Sequence, residues 1–362
     1  MINRILLFSI FIAFLFPKLI FAQTSADSSF KAEAVVTKIL EEKQIKVMEK
    51  KQLFQKLEVL LIQGKDKGKK LIVNNGDIPV AKVPRYLVGD KVVLTINNGQ
   101  DGHNSIYVSD YVRRDSLYWL FAIFIGLAVL IARKRGAASV LGMIISFFVI
   151  FQFILPQIIS GANPVFISIL GSIIIIPVTF YLSHGVNGKT TMSVVGTIIS
   201  LIITGLLAYV YIYFAKLSGF SSDEAVFLQT AKPGTFNMQG ILLAGIIIGL
   251  LGILDDITIS QAAIVYELKK TSPKLTFTQL YAKGMDIGSD HIASMVNTLV
   301  LVYASAALPL LLLFINNPHP FAEVLNYEMI AEEVVRTFIA SIGLILAVPI
   351  TTFLTAYYVN RK

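Results

Sequence analysis

From Gly136 to Gly188 the chain carries no Asp, Glu, Lys or Arg, in a stretch rich in Ile, Val and Phe. A hydrocarbon core about 30 Å thick is crossed by roughly 20 apolar residues in a helix, so this stretch alone has room for two spans. Composition agrees: 55% of the chain is hydrophobic and 15% charged, against about 25% charged in a soluble domain. The reading is an integral membrane protein. The chain has no cysteine, which excludes disulfides, thiolate nucleophiles and thiolate metal sites.

Residues 1–22 have the form of a targeting segment, with Arg4, an apolar run Ile5–Phe16 and a cleavage point after Ala22. Whether cleaved as a signal or kept as an anchor, it places the residues after it outside the cytoplasm. Residues 23–115 are lysine-rich, with β-branched runs at 30–40, 56–62, 69–76, 88–99 and 103–112 separated by turn residues such as "GKDKG" (64–68). Five short strands without a long helix predict a small extracytoplasmic β-barrel-like domain of OB or SH3-like type. No aromatic pair stands on one face, so no nucleic-acid platform is expected. The excess of lysine suits either a solvated surface or anionic lipid headgroups.

Residues 116–362 predict a polytopic helix bundle, so the fold class is mainly α with a small β domain in front. Seven spans are expected near 117–132, 138–156, 163–183, 190–214, 239–256, 291–315 and 333–358. "RKR" (133–135), Lys189, Lys269, Lys270, Lys274, Lys283 and "NRK" (360–362) fall on one side of them. The opposite loops carry Asp223, Glu224, Glu323, Glu328, Glu332 and Glu333, with Lys216 and Lys232 as their cations. Lys and Arg mark the cytoplasmic side, so the β domain is expected outside and the C-terminus inside. The lipid bilayer is the one partner that composition implies, and self-association is left open. Gly245 and Gly249 form a G-x-x-x-G pair suited to close helix packing, and Pro156, Pro177, Pro309 and Pro349 are expected to kink or end helices.

Polar residues interrupt the apolar runs in two places. After Gly252 a helix continues through Asp256 to Lys270, which puts Asp256, Ser260 and Glu267 on one face. In 283–304, Asp286, Asp290, Ser294 and Asn297 follow helical spacing, with His291 and Thr298 beside them. A third patch, His184, Asn187, Lys189, Thr190, Thr191 and Ser193, lies at the same expected depth. Carboxylates at membrane depth are costly and usually mark ion or proton paths. Oxygen ligands suit hard cations, and His291 would admit a transition metal. The structural alternatives are helix capping by Asp286 and Asp290 and contact of Asp255 and Asp256 with water at the end of a span. Of the adjacent pair, Asp256 is the site candidate and Asp255 the boundary charge. Cofactor and metal stay unknown. No phosphate loop or H-E-x-x-H motif occurs, and adjacent aspartates point about 100° apart on a helix and are ill placed to share a hydrolase site, so no enzyme activity is expected.

"GILDDITISQAAIVYEL" (252–268), followed by "GSDHIASMVNTLVLVYASAALPLLLL" (288–313), resembles the YibE/F-like family of bacterial multipass membrane proteins. The shared pattern has an aspartate at Asp256, Gly-x-Asp-His-Ile at Gly288–Ile292 and Asn-Thr at Asn297 and Thr298. Many relatives are basic where this chain has Ser289. The resemblance implies a bacterial plasma-membrane protein with a presumed transport role and no fixed substrate. Two functions are compatible with these residues: a transporter or channel for a small ion or solute with an acidic site at the cytoplasmic side, or a non-transporting anchor that presents the β domain to a partner.

Overall fold

The computed structural model describes residues 29–47, 50–63, 66–79, 82–98, 104–316 and 320–361. The targeting segment at 1–22 lies outside them. The chain divides into two compact units, one ending at Gly126 and one beginning at Leu127.

The first unit holds five strands, β1 Ser29–Val47, β2 Lys50–Leu61, β3 Lys70–Asn75, β4 Lys91–Asn98 and β5 Asn104–Tyr111. They close a barrel in the order β1-β2-β3-β5-β4, with β3 and β5 parallel and the other pairs antiparallel. This connectivity is the OB arrangement of the two that were expected. Alternate residues point inward, and Ala34, Val36, Leu57, Val59, Val73, Val92 and Leu94 fill the interior. β1 and β2 run longer than their hydrophobic patterns, because the charged segment Glu41–Lys46 pairs with Lys51–Lys56 as a continued ladder. Irregularities at Val36/Lys38 and Ile39/Glu41 bend β1.

One buried polar clasp ties the segment before β4 to the barrel. Gln55 donates to the Tyr86 carbonyl at 3.0 Å and to Glu42 at 2.9 Å, and its oxygen accepts from the Tyr86 backbone N–H at 2.9 Å. The Tyr86 ring lies 4.7 Å from that of Tyr111, and burial pushes its phenol up to about 12.

The helical elements are α1 Arg114–Val149, α2 Leu155–Ile159, α3 Pro164–His184, α4 Gly188–Phe214, α5 Asp223–Ala231, α6 Met238–Thr271, α7 Phe277–Ala306, α8 Leu308–Asn316, α9 Phe321–Val324 and α10 Glu328–Arg361. Local sequence starts most of them. Asn163, Asn187 and Asn237 accept backbone N–H groups at the N-termini of α3, α4 and α6, and Thr276 with Gln279 forms a capping box on α7. Ile150–Ile154 is a π-helical turn just before Pro156, the residue that cannot donate to a regular helix. Pro177 and Pro349 lie inside α3 and α10 without ending them.

Among the described residues, five helical runs are long and apolar enough to cross a membrane: 114–159, 164–184, 188–214, 238–271 and 328–361. The first bends at Arg133, where φ is 53°, and contains the expected spans 117–132 and 138–156. The expected span 291–315 is not among the five. Its sequence is divided between α7 and α8, with Pro309 in the first turn of α8. The G-x-x-x-G pair is also placed differently from expectation, since a Cβ on Gly245 or Gly249 would meet nothing within 4 Å. The buried face of α6 is the one bearing Leu243, Ile247, Leu250 and Leu254.

Candidate functional site

The expected acidic stripes lie on the outer faces of their helices. Asp256 and Glu267 are exposed and Ser260 is half-buried, and Glu267 pairs with Lys270 one turn on at 3.2 Å. On α7, Asp286, Asp290, Asn297 and Thr298 are exposed and His291 is half-buried. Among the described residues no hydrogen bond or ion pair joins the two stripes. The reason lies in helix geometry. α7 turns Gly284 and Gly288 toward α6, and Asp286 and Asp290 stand two residues further on, about 200° around the helix. Capping does not explain these acids either, because α7 begins at Phe277 and its cap is Thr276. In the third patch Asn187 is a cap, accepting from the Thr190 N–H at 3.0 Å, and His184 is exposed, while Thr190 and Ser193 are buried.

What converges instead is a seam of hydroxyl and amide groups between α4, α6 and α10. On α4, Thr190, Ser193, Thr197, Ser200 and Thr204 recur at alternating steps of three and four, so they share one face, and all are buried. Thr197 and Thr258 of α6 share a hydrogen bond of 2.7 Å between hydroxyls, and Ser193 donates to the Thr258 carbonyl at 3.3 Å. Gln261, one turn along α6, is wholly buried. Its amide nitrogen donates to the Gly284 carbonyl of α7 and to the Thr352 hydroxyl of α10, both at 2.7 Å.

Glycines admit this packing. A Cβ on Gly288 would stand 2.6 Å from Val348 and 2.9 Å from the Gln261 nitrogen, and one on Gly196 would stand 2.5 Å from the Thr351 hydroxyl. Small residues of this kind let helix backbones close on polar side chains in a membrane. At one end of the seam the Tyr266 and Tyr358 hydroxyls press on Gly188, their rings 6.4 Å apart. Toward the other end Thr204 packs on Gly343, and Ser341 is buried nearby in sequence.

Part of the seam is self-satisfied. Thr197, Thr204, Ser341 and Thr352 each donate to the carbonyl four residues back, as Ser and Thr do in helices. Part is not. Thr190, Ser200, Thr351 and Thr355 hydroxyls and the Gln261 oxygen are buried without a hydrogen-bond partner. Such groups are rare in folded proteins, and each calls for a cause.

The end bearing the start of α10 carries the buried acid. Glu332 is 6% exposed; one carboxylate oxygen accepts from the Ser221 hydroxyl at 2.5 Å, and the other has no donor. One turn earlier, Glu328 is fully engaged by the Ser218 N–H and hydroxyl and the Gly219 N–H. From Glu332 to Thr355 α10 rises about 35 Å, enough to cross a hydrocarbon core of about 30 Å. A separate pocket, of about 310 Å³ between α3, α4 and α6, is lined by Ile169, Ile173, Leu206 and other apolar side chains, with Tyr209 as its one side chain bearing a polar group.

Sequence reasoning selected the carboxylates and, of the hydroxyl row of α4, only Thr190 and Ser193; it passed over Thr197, Ser200, Thr204, Thr258, Gln261 and Thr351. The three-four spacing of that row was a readable signal. The family model described as YibE/F-like protein matches residues 120–361, which covers the helical unit almost completely. No curated protein and no solved structure matches the chain. With well over half its length matched, and with apolar helices arranged around a polar interior, the chain belongs to the YibE/F-like family.

Proposed function

We propose that the chain sits in a bacterial plasma membrane, barrel outside and C-terminus inside, and moves a small ion or solute along the seam between α4, α6 and α10. The loop charges support the orientation. The observation that carries the transport reading is the set of orphaned buried oxygens on Thr190, Ser200, Gln261, Thr351 and Thr355. Close packing alone accounts for small residues at these positions but not for oxygens left without partners, since each unpaired polar group costs about 1–3 kcal/mol. A permeating ion, proton carrier or water chain would supply the missing partners. The path runs through the interior, and Asp256, Asp286 and Asp290 act at most at its approaches.

The test is flux in proteoliposomes of the full chain, with a panel of protons, alkali and divalent cations and small solutes. Gln261→Leu and Thr197→Val are expected to lower flux at least tenfold, and Asp256→Asn to leave it within twofold. Unchanged flux in both seam variants, or no flux of any species in the wild type, would refute the reading in favour of an anchor for the barrel.

A further inference from the structure

Where α10 begins, residues of α5, α6, α10 and the turn before α5 line an open pocket of about 320 Å³. A water molecule occupies about 30 Å³ of liquid, so the space corresponds to about ten waters. That is too large for a bare ion and sits at the small end of ligand pockets. Its walls have two characters. Ser222, Glu224, Glu332, Glu333 and Arg336 form the polar side, and Leu228, Met238, Ile241 and Leu242 form an apolar floor that Gly245 leaves open.

Three carboxylates face one guanidinium, so the lining is net negative when all are ionised. The Arg336 Nε stands 3.6 Å from the Glu333 carboxylate, an ion pair too long for a hydrogen bond, and that buried N–H has no acceptor. Glu332 remains, buried and with one oxygen lacking any donor. Burial of a carboxylate without compensation is costly, and a ligand bringing a positive charge with N–H donors removes that cost. A metal ion is a poorer fit, because among the described residues no three His, Cys, Asp or Glu side chains are grouped to hold one.

We infer that this cavity binds a small protonated amine, with its ammonium group on Glu332 and its carbon chain on the floor beside Gly245. As the loading site of the seam the inference rests on the transport reading. Binding is measured without flux, so the two fail separately.

The experiment is calorimetry on the full chain in nanodiscs at pH 7, with butylammonium, butanol, Na⁺ and Mg²⁺ as probes. Butylammonium is expected to bind saturably and butanol at least tenfold more weakly. Glu332→Gln should weaken the amine at least tenfold. Gly245→Leu, which keeps the carboxylate and fills the floor, should do the same, and it stands as the second variant if Glu332→Gln does not fold. Absence of saturable amine binding in the wild type overturns the proposal, as does amine binding that survives either folded variant. Binding of Na⁺ or Mg²⁺ in place of the amine, with the same dependence on Glu332, also overturns it.

Discussion

Gln261→Leu separates the stability of the seam from its use. The substitution removes two hydrogen bonds from the Gln261 amide, to the Gly284 carbonyl and the Thr352 hydroxyl. At about 0.6–1 kcal/mol each, the loss is about 1–2 kcal/mol. Neither partner is orphaned by it. Thr352 still donates to the Val348 carbonyl at 2.7 Å, and Gly284 lies inside α7, where its carbonyl keeps the helical bond. The same change deletes the buried Gln261 oxygen, which has no donor within the protein, recovering about 1–3 kcal/mol when no transported species or water is bound to it. Repacking leucine against Gly284 and Gly288 costs under about 1.5 kcal/mol. The sum runs from about 2 kcal/mol more stable to about 2.5 kcal/mol less stable than the wild type, and flux is lost. Unfolding of the full chain in mixed micelles, read beside proteoliposome flux, measures both. A destabilisation above about 3 kcal/mol would make Gln261 a structural clasp and remove the reason for assigning its free oxygen to a transported species.

Gly288→Ala is expected to destabilise by about 1–3 kcal/mol, since its Cβ would stand 2.6 Å from Val348 on the facing helix; the same unfolding assay reads it, and wild-type stability would show that α7 and α10 can separate without cost. Gln55→Leu should cost about 2–5 kcal/mol, because it strands the buried backbone N–H and carbonyl of Tyr86; amide exchange at Tyr86 in the full chain reports the loss. The barrel should also lose stability at both extremes of pH. The Thr37 hydroxyl, and then Lys70, hold Glu58 below the usual carboxylate range, so its contribution is present above about pH 4.3, the unfolded value, and fades as pH falls through the lower folded value. Burial holds Tyr86 up at about 12, so its contribution is complete below about pH 10 and fades as pH rises from there toward 12. Phenolate absorbance should show the Tyr86 transition late; ionisation near pH 10 without unfolding would contradict the burial.

Most of the architecture was legible because it follows from one-dimensional quantities. The apolar run lengths placed α3, α4 and α10, and Asn163 before Pro164 and Asn187 before Gly188 are caps that can be read without a partner. The extension of β1 and β2 was not legible, since Glu41–Lys46 carries no alternation and is held by ladder hydrogen bonds and by the contacts of Glu42 with Gln55 and Arg85. The site was harder for a specific reason. Spacing shows which residues share a helix face but not which face turns inward. On α6, Asp256 and Glu267 share a face, and Thr258, Gln261 and Val265 share another. Both patterns fit the same stretch of helix, and only the neighbours decide between them.

The decision follows from size and charge. The inward face must admit α4, α7 and α10 at close range, which small hydroxyls and one amide permit and two ionised carboxylates do not. Asp256 follows Gly245, Gly249 and Gly252 along α6, at positions where a Cβ would meet open space at each glycine; this is the one side of the helix on which a charge meets no packed neighbour. In a membrane helix the most conspicuous polar residue is therefore a weak guide to the interior. A run of Ser and Thr at steps of three and four, as in Thr190 to Thr204, is the stronger one, because it marks where another helix can come close and still find hydrogen-bonding groups.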